Sequence, residues 1–138
     1  MITTLDLERI AEQHGITITT QNLPAPLCGY YRDDTQTIVL HDKLNDIQYK
    51  CTLAHELIHA QHHDTPTANM YHARNEQRTR NLTALLLIRL EDYMTAERIY
   101  TGDIARIAAM LDVTVQVARD YITALKKIAQ PTNLTAYA

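Results

Sequence analysis

Hydrophobic and polar positions follow two different periods along this chain, and the changeovers mark its elements. Residues 5–14 place Leu5, Ile10 and Ala11 on one side of a helix that closes on Gly15 as its C-cap. Ile16-Thr17-Ile18-Thr19 then alternates apolar and polar with β-branched residues, which predicts a strand. Leu23-Pro24-Ala25-Pro26 breaks the pattern, and residues 28–32 and 37–40 predict two more strands around an Asp33-Asp34-Thr35-Gln36 turn. Together they predict a small antiparallel sheet.

Helical spacing returns at Asn45 or Asp46, either of which can cap a helix from Ile47 to His62 with Leu53, Leu57 and Ala60 inward. Asp64-Thr65-Pro66-Thr67 stops it. A second helix is expected from Arg74 to Glu91. Leu82, Leu85, Leu86, Ile88 and Leu90 make it apolar nearly all round, the mark of a buried helix. Residues 94–100, 103–111 and 114–127 read as three further helices, the last two meeting in helix-turn-helix outline at residues 110–114. The expected fold is α+β: a core over residues 1–93, a C-terminal helical segment over 94–130 packed on it, and a tail over 131–138.

Composition narrows the class. A chain of 138 residues that is 46% hydrophobic is enough for one domain with a core of its own. Eight Tyr with no Phe or Trp make that core mainly aliphatic. A net charge of −3 and a pI near 6.1 argue against a dedicated nucleic-acid binder, which needs a basic surface. Cys28 and Cys51 do not make a disulfide framework. The first six residues lack the regions of a signal peptide, and the longest apolar run, 84–88, is far short of the roughly 20 residues of a membrane span. The expectation is a cytoplasmic protein with no membrane partner.

Five of seven histidines, His55, His59, His62, His63 and His72, crowd the middle of the chain. There His55-Glu56-Leu57-Ile58-His59 matches H-E-x-x-H. Four residues along a helix advance about 6 Å and turn about 400°, so both imidazoles share one face. Each can offer a nitrogen to one zinc ion at about 2.0–2.1 Å. Glu56 lies about 100° round the helix, placed to act as catalytic base rather than ligand. A catalytic site needs a third protein ligand and an open position. Glu76, at the start of the next helix, is the first choice. Its bland alternative is a charge favoured at a helix N-terminus, and His62, His63, His72, Asp64 and Glu91 are rival ligands.

With these residues in place the chain resembles the ImmA/IrrE-type metallopeptidases. The resemblance runs through residues 7–16, Gly29-Tyr30-Tyr31, Ile38-Val39-Leu40 and residues 52–60. It implies a zincin-like minimal metallopeptidase fold holding one zinc ion, or another divalent metal, per chain. In that family a Glu-x-x-Ala-(Asp/Asn)-x-x-Ala-Ala-x-x-Leu helix supplies the third ligand. Here Glu76, Ala84 and Leu87 match, Thr79 and Thr83 replace alanines, and Arg80 stands where Asp or Asn is usual. Ile58 replaces a frequent glycine. Where the usual side chain at 80 orients a ligating histidine, its loss costs roughly 10–100-fold in affinity or activity. The resemblance also implies a protein substrate, a helix-turn-helix transcriptional repressor of a mobile element such as a phage, or of a stress response, which the enzyme cleaves.

The remaining candidates carry plainer alternatives. His72, Tyr30, Tyr31 and Tyr71 could stabilise an oxyanion, although alternate strand residues such as Tyr30 and Tyr31 are also expected to be one packed and one exposed. Cys51, one turn before His55, reads as a small buried hydrophobe, as does Cys28. The second helix of the helix-turn-helix outline has little basic or amide character for base edges. The leading expectation is thus a zinc endopeptidase. A non-catalytic zinc-stabilised anti-repressor and a DNA-binding accessory factor are the alternatives.

Overall fold

The computed structural model describes residues 1–64 and 70–129, with side chains at 1–64 and 75–129. Helix α1, Thr4–Gln13, starts at a reciprocal cap in which Thr3 Oγ1 accepts from the Asp6 N–H and Asp6 Oδ2 accepts from the Thr3 N–H. Its buried face is Leu7 and Ala11, four residues apart, while Leu5, expected inward, is 55% exposed. Gly15 follows with φ +69°, a conformation that favours glycine.

Strands β1 (Thr17–Gln21), β2 (Gly29–Arg32) and β3 (Thr37–His41) form a mixed sheet in the order β1-β3-β2, not the expected antiparallel one. β2 and β3 form the expected antiparallel pair, with Tyr31 opposite Ile38. β1 instead runs parallel to β3, with Ile18 opposite Ile38. The cause lies in residues 22–28. This proline-bearing connection is too long for a tight hairpin and carries the chain past the slot beside β1, which β3 then fills.

Helix α2, Asp46–Gln61, opens on a second reciprocal cap between Asn45 and Gln48. It buries Leu53, Ala54, Leu57 and Ala60. Helix α3 spans Met70–Leu87, beginning earlier and ending sooner than residues 74–91. The chain breaks at Ile88 and Arg89 and restarts as α4, Leu90–Ile99. Helix α3 is not buried all round: Leu85 and Leu86 are 39% and 38% exposed. Its inner face is Thr79, Thr83, Ala84 and Leu87, and Thr83 satisfies its buried hydroxyl by donating to the Thr79 carbonyl.

Helices α5 (Ile104–Met110) and α6 (Val115–Ile128) are capped by Asp103 and Thr114 and joined by a turn whose Asp112 has φ +54°. Leu111 and Val113 of this turn are buried. Helix α6 lies against α3, and its residues Val117, Ala118 and Tyr121 join Leu7, Ile38, Leu40 and Leu53 in one apolar cluster. The described residues thus form an α+β fold of six helices and a small three-stranded mixed sheet. Among them no helix is long and apolar enough to cross a membrane.

Candidate metal centre

Helices α2 and α3 pack together and turn polar side chains to each other. Helix α2 presents His55 and His59 side by side, ring centroids 4.9 Å apart and planes inclined at 77°. From α3, Glu76 reaches across, with Oε1 2.6 Å from His59 Nε2 and Oε2 3.2 Å from His55 Nε2. One donor atom from each of the three side chains lies within 4.8 Å of the others. Two imidazole nitrogens and a carboxylate oxygen are the donor types a zinc-like cation takes. The cluster is compatible with a metal site.

The charges depend on one another. His55 and His59 hold the Glu76 carboxyl well below the usual carboxylate range. Burial pulls the His59 pKa down, but its bonds to Glu76 and Asp64 and the Glu56 charge outweigh burial and raise it to about 9. Glu56, next to His55 on α2, is 6% exposed. Burial pushes its carboxyl pKa up, against the opposing pull of His55 and His59.

Behind His59 stands a layer that sequence reading did not assign. Asp64, weighed there as a rival ligand, places Oδ2 2.9 Å from His59 Nδ1, on the side of the ring away from Glu76. Arg78 Nη2 donates to the same oxygen at 2.6 Å. Burial opposes the ionised form of Asp64, but His59 and Arg78 outweigh it and its pKa falls. With the Nδ1 proton given to Asp64, Nε2 of His59 is the nitrogen turned to the cluster. Residue type alone fits Asp64 equally to ligand and support, so only the path of the chain after α2 separates the two.

The other rival ligands whose side chains are described lie outside the cluster. His62 Nδ1 is 2.9 Å from the Ile58 carbonyl oxygen, and His63 Nδ1 is 3.0 Å from Asp33 Oδ1. Glu91, in the first turn of α4, faces Arg89 at 3.5 Å. None of the three joins the cluster. Tyr71 and His72 lie outside the residues whose side chains are described. Tyr31 is buried, donates its hydroxyl to Asp33 Oδ1 at 2.9 Å, and has its pKa pushed up to about 12, by burial first and Asp33 second. Tyr30 is half-buried. Arg80 forks onto Asp120 of α6.

A cavity of about 740 Å³ opens over the cluster. Its walls come from β2 (Gly29, Tyr30, Tyr31), from α2 and α3, and from the start of α6 (Gln116, Val117, Asp120). Cys51 lines it as a buried thiol whose pKa burial raises, and Cys28 lines it as an exposed one. Strand β2 can approach α2 this closely because residue 29 is glycine: a Cβ there would meet Thr52 Cγ2 at 2.9 Å.

Comparison with known proteins adds one finding. The family model Peptidase_M78, described as the IrrE N-terminal-like domain, matches residues 11–122. No curated protein and no solved structure matches the chain significantly.

Proposed function

Because the chain belongs to the Peptidase_M78 family of IrrE N-terminal-like domains, a metallopeptidase family, we propose that it is a zinc-dependent endopeptidase of zincin-like fold. Its substrate in this reading is a helix-turn-helix repressor of a mobile element or stress response, met in the cytoplasm. The observation that carries the reading is the convergence of His55, His59 and Glu76 to within 4.8 Å beside a buried Glu56.

In this reading His55, His59 and Glu76 hold the ion. When bound, the ion supplies Lewis acidity, which polarises a scissile carbonyl and makes water a nucleophile near neutral pH. Glu56 accepts the proton of the attacking water at its carboxylate and passes it to the departing amine. In the metal-free protein burial raises its carboxyl pKa, which strengthens the carboxylate as a base for the first step. Asp64 fixes the ring and tautomer of His59. Among the described residues strand β2 pairs only with β3, and in this reading its other edge takes an extended peptide in the cavity. The repressor itself rests on family likeness.

A second reading has a specific observation behind it. Arg80 replaces the family's Asp or Asn and turns its guanidinium to Asp120. A site short of one orienting group suits a zinc-stabilised anti-repressor that binds without cutting. Mixing the zinc-loaded protein with the repressor encoded beside it, then identifying fragments by mass spectrometry, separates the readings. Fragments that vanish with Glu56→Gln, in a variant that still binds zinc, support the peptidase. Fragments that persist with Glu56→Gln refute Glu56 as base, and intact repressor in a stable complex favours the anti-repressor.

A further inference from the structure

Glu76 and Arg80 stand one turn apart on α3, the carboxylate N-terminal to the guanidinium. On a helix surface that order and spacing favour an i,i+4 ion pair. No such pair forms. Both Glu76 oxygens are directed to His55 and His59, and Arg80 turns to α6, with Nη2 2.7 Å from Asp120 Oδ1 and Nε 3.2 Å from Oδ2. Gln116 donates a third bond to Asp120 at 3.0 Å.

The competition for Arg80 is unequal. Asp120 is 6% exposed and offers both oxygens to the planar fork, the stronger geometry for a guanidinium. The Glu76 side chain is 35% exposed and already turned to two imidazoles. Arg80 nevertheless remains close enough to feel the Glu76 charge. Among the described residues it is the one Lys or Arg lining the cavity. A guanidinium that settled on Glu76 would oppose a metal twice, by covering the ligand oxygens and by setting a positive charge beside a dication.

We infer that Asp120 is a positioning residue for the metal site: by forking Arg80 onto α6 it keeps the guanidinium off Glu76 and leaves that carboxylate to the cation. The inference rests on the metal-site reading above. It gives the C-terminal helix a task in a centre to which it contributes no ligand.

The test is zinc affinity of the full chain, measured by competition with a chromophoric chelator. If the wild-type protein binds no zinc, the metal-site reading itself falls. Given wild-type binding, Asp120→Asn is expected to weaken it about tenfold. Arg80→Gln added to Asp120→Asn leaves a neutral amide pair between α3 and α6 and removes the competitor, so affinity returns to within about twofold of wild type. Should Asp120→Asn fail to fold, Gln116→Leu loosens Asp120 by one bond, giving a smaller weakening that Arg80→Gln again reverses. Wild-type affinity in the folded single variant overturns the inference. So does a double variant as weak as the single, because loss of the α3–α6 tether would then be the cause.

Discussion

Asp64 sets its Oδ2 2.9 Å from Nδ1 of His59, while the opposite nitrogen of that ring lies 2.6 Å from Glu76. The imidazole is thus held at both ends, and the Asp64 end leaves Nε2 for a cation. Removing the support leaves Nδ1 with only the longer 3.4 Å contact to Thr79 Oγ1, so the ring is held less firmly in its place and tautomer. Asp64→Ala is expected to lower zinc affinity roughly 10–100-fold with little change in the total helical signal by circular dichroism. An unchanged dissociation constant would show that Asp64 is not needed to orient His59, the Thr79 hydroxyl at the same nitrogen being enough.

How much of this was legible in the sequence follows the range of the forces. His55, Glu56 and His59 share a helix, so their mutual placement depends on helical geometry alone, and the Asn45 cap of that helix is equally local. Placing Glu76 needed one tertiary step, the fold-back of α3. The Asp64–His59 and Arg80–Asp120 contacts join residues whose approach depends on how loops and helices pack, and no spacing rule reaches them. The sheet departs from the antiparallel expectation for the same reason: β1 fits an antiparallel or a parallel neighbour equally, and residues 22–28 decide. Apolar composition without phase points Leu85 and Leu86 inward, whereas two threonines, Thr79 and Thr83, hold the inner face of α3.

Gly29 offers a test of how β2 is seated on the cavity wall. A Cβ at this position would come within 2.9 Å of both Thr52 Cγ2 and the Val39 carbonyl oxygen, the latter being backbone that cannot turn aside. Gly29→Ala is expected to destabilise the fold by about 1–3 kcal/mol through overpacking, read from denaturant midpoints. Gly102→Ala meets no atom within 4 Å but must adopt φ +75°, so its cost is backbone strain rather than collision. Equal stability of wild type and Gly29→Ala would mean that β2 can shift away from α2.

The two adjacent tyrosines of β2 should respond differently to loss of their hydroxyls. Tyr31 is 3% exposed and gives its hydroxyl to Asp33, which leaves none for a substrate. Tyr31→Phe is expected to cost about 0.5–1.5 kcal/mol of stability and to leave the cleavage rate of the folded protein unchanged. Tyr30 is half-buried at the cavity, so of these two tyrosines it is Tyr30→Phe that should slow turnover. A rate loss confined to Tyr31→Phe would reverse this assignment.

Metal binding should expel a proton from His59. In the metal-free protein its pKa is raised from 6.5 to about 9, so at pH 7 the ring is charged, whereas a cation needs it neutral. Zinc titrations at pH 7 in two buffers of different ionisation enthalpy are expected to show about one proton released per ion, declining towards none above about pH 10. The same shift fixes the sign of the metal-free protein's pH dependence. A raised pKa contributes stability that is complete below 6.5 and disappears as pH climbs through about 9. Glu76, depressed from 4.5, contributes above that value and loses its share as pH falls. Chelator-treated protein should therefore lose melting temperature between pH 7 and about 10, and zinc-loaded protein should lose less, because the ion rather than the proton then bridges the two helices. Zinc binding at pH 7 with no proton released would mean that His59 is neutral before the ion arrives, and the pairing with Glu76 would then need another account.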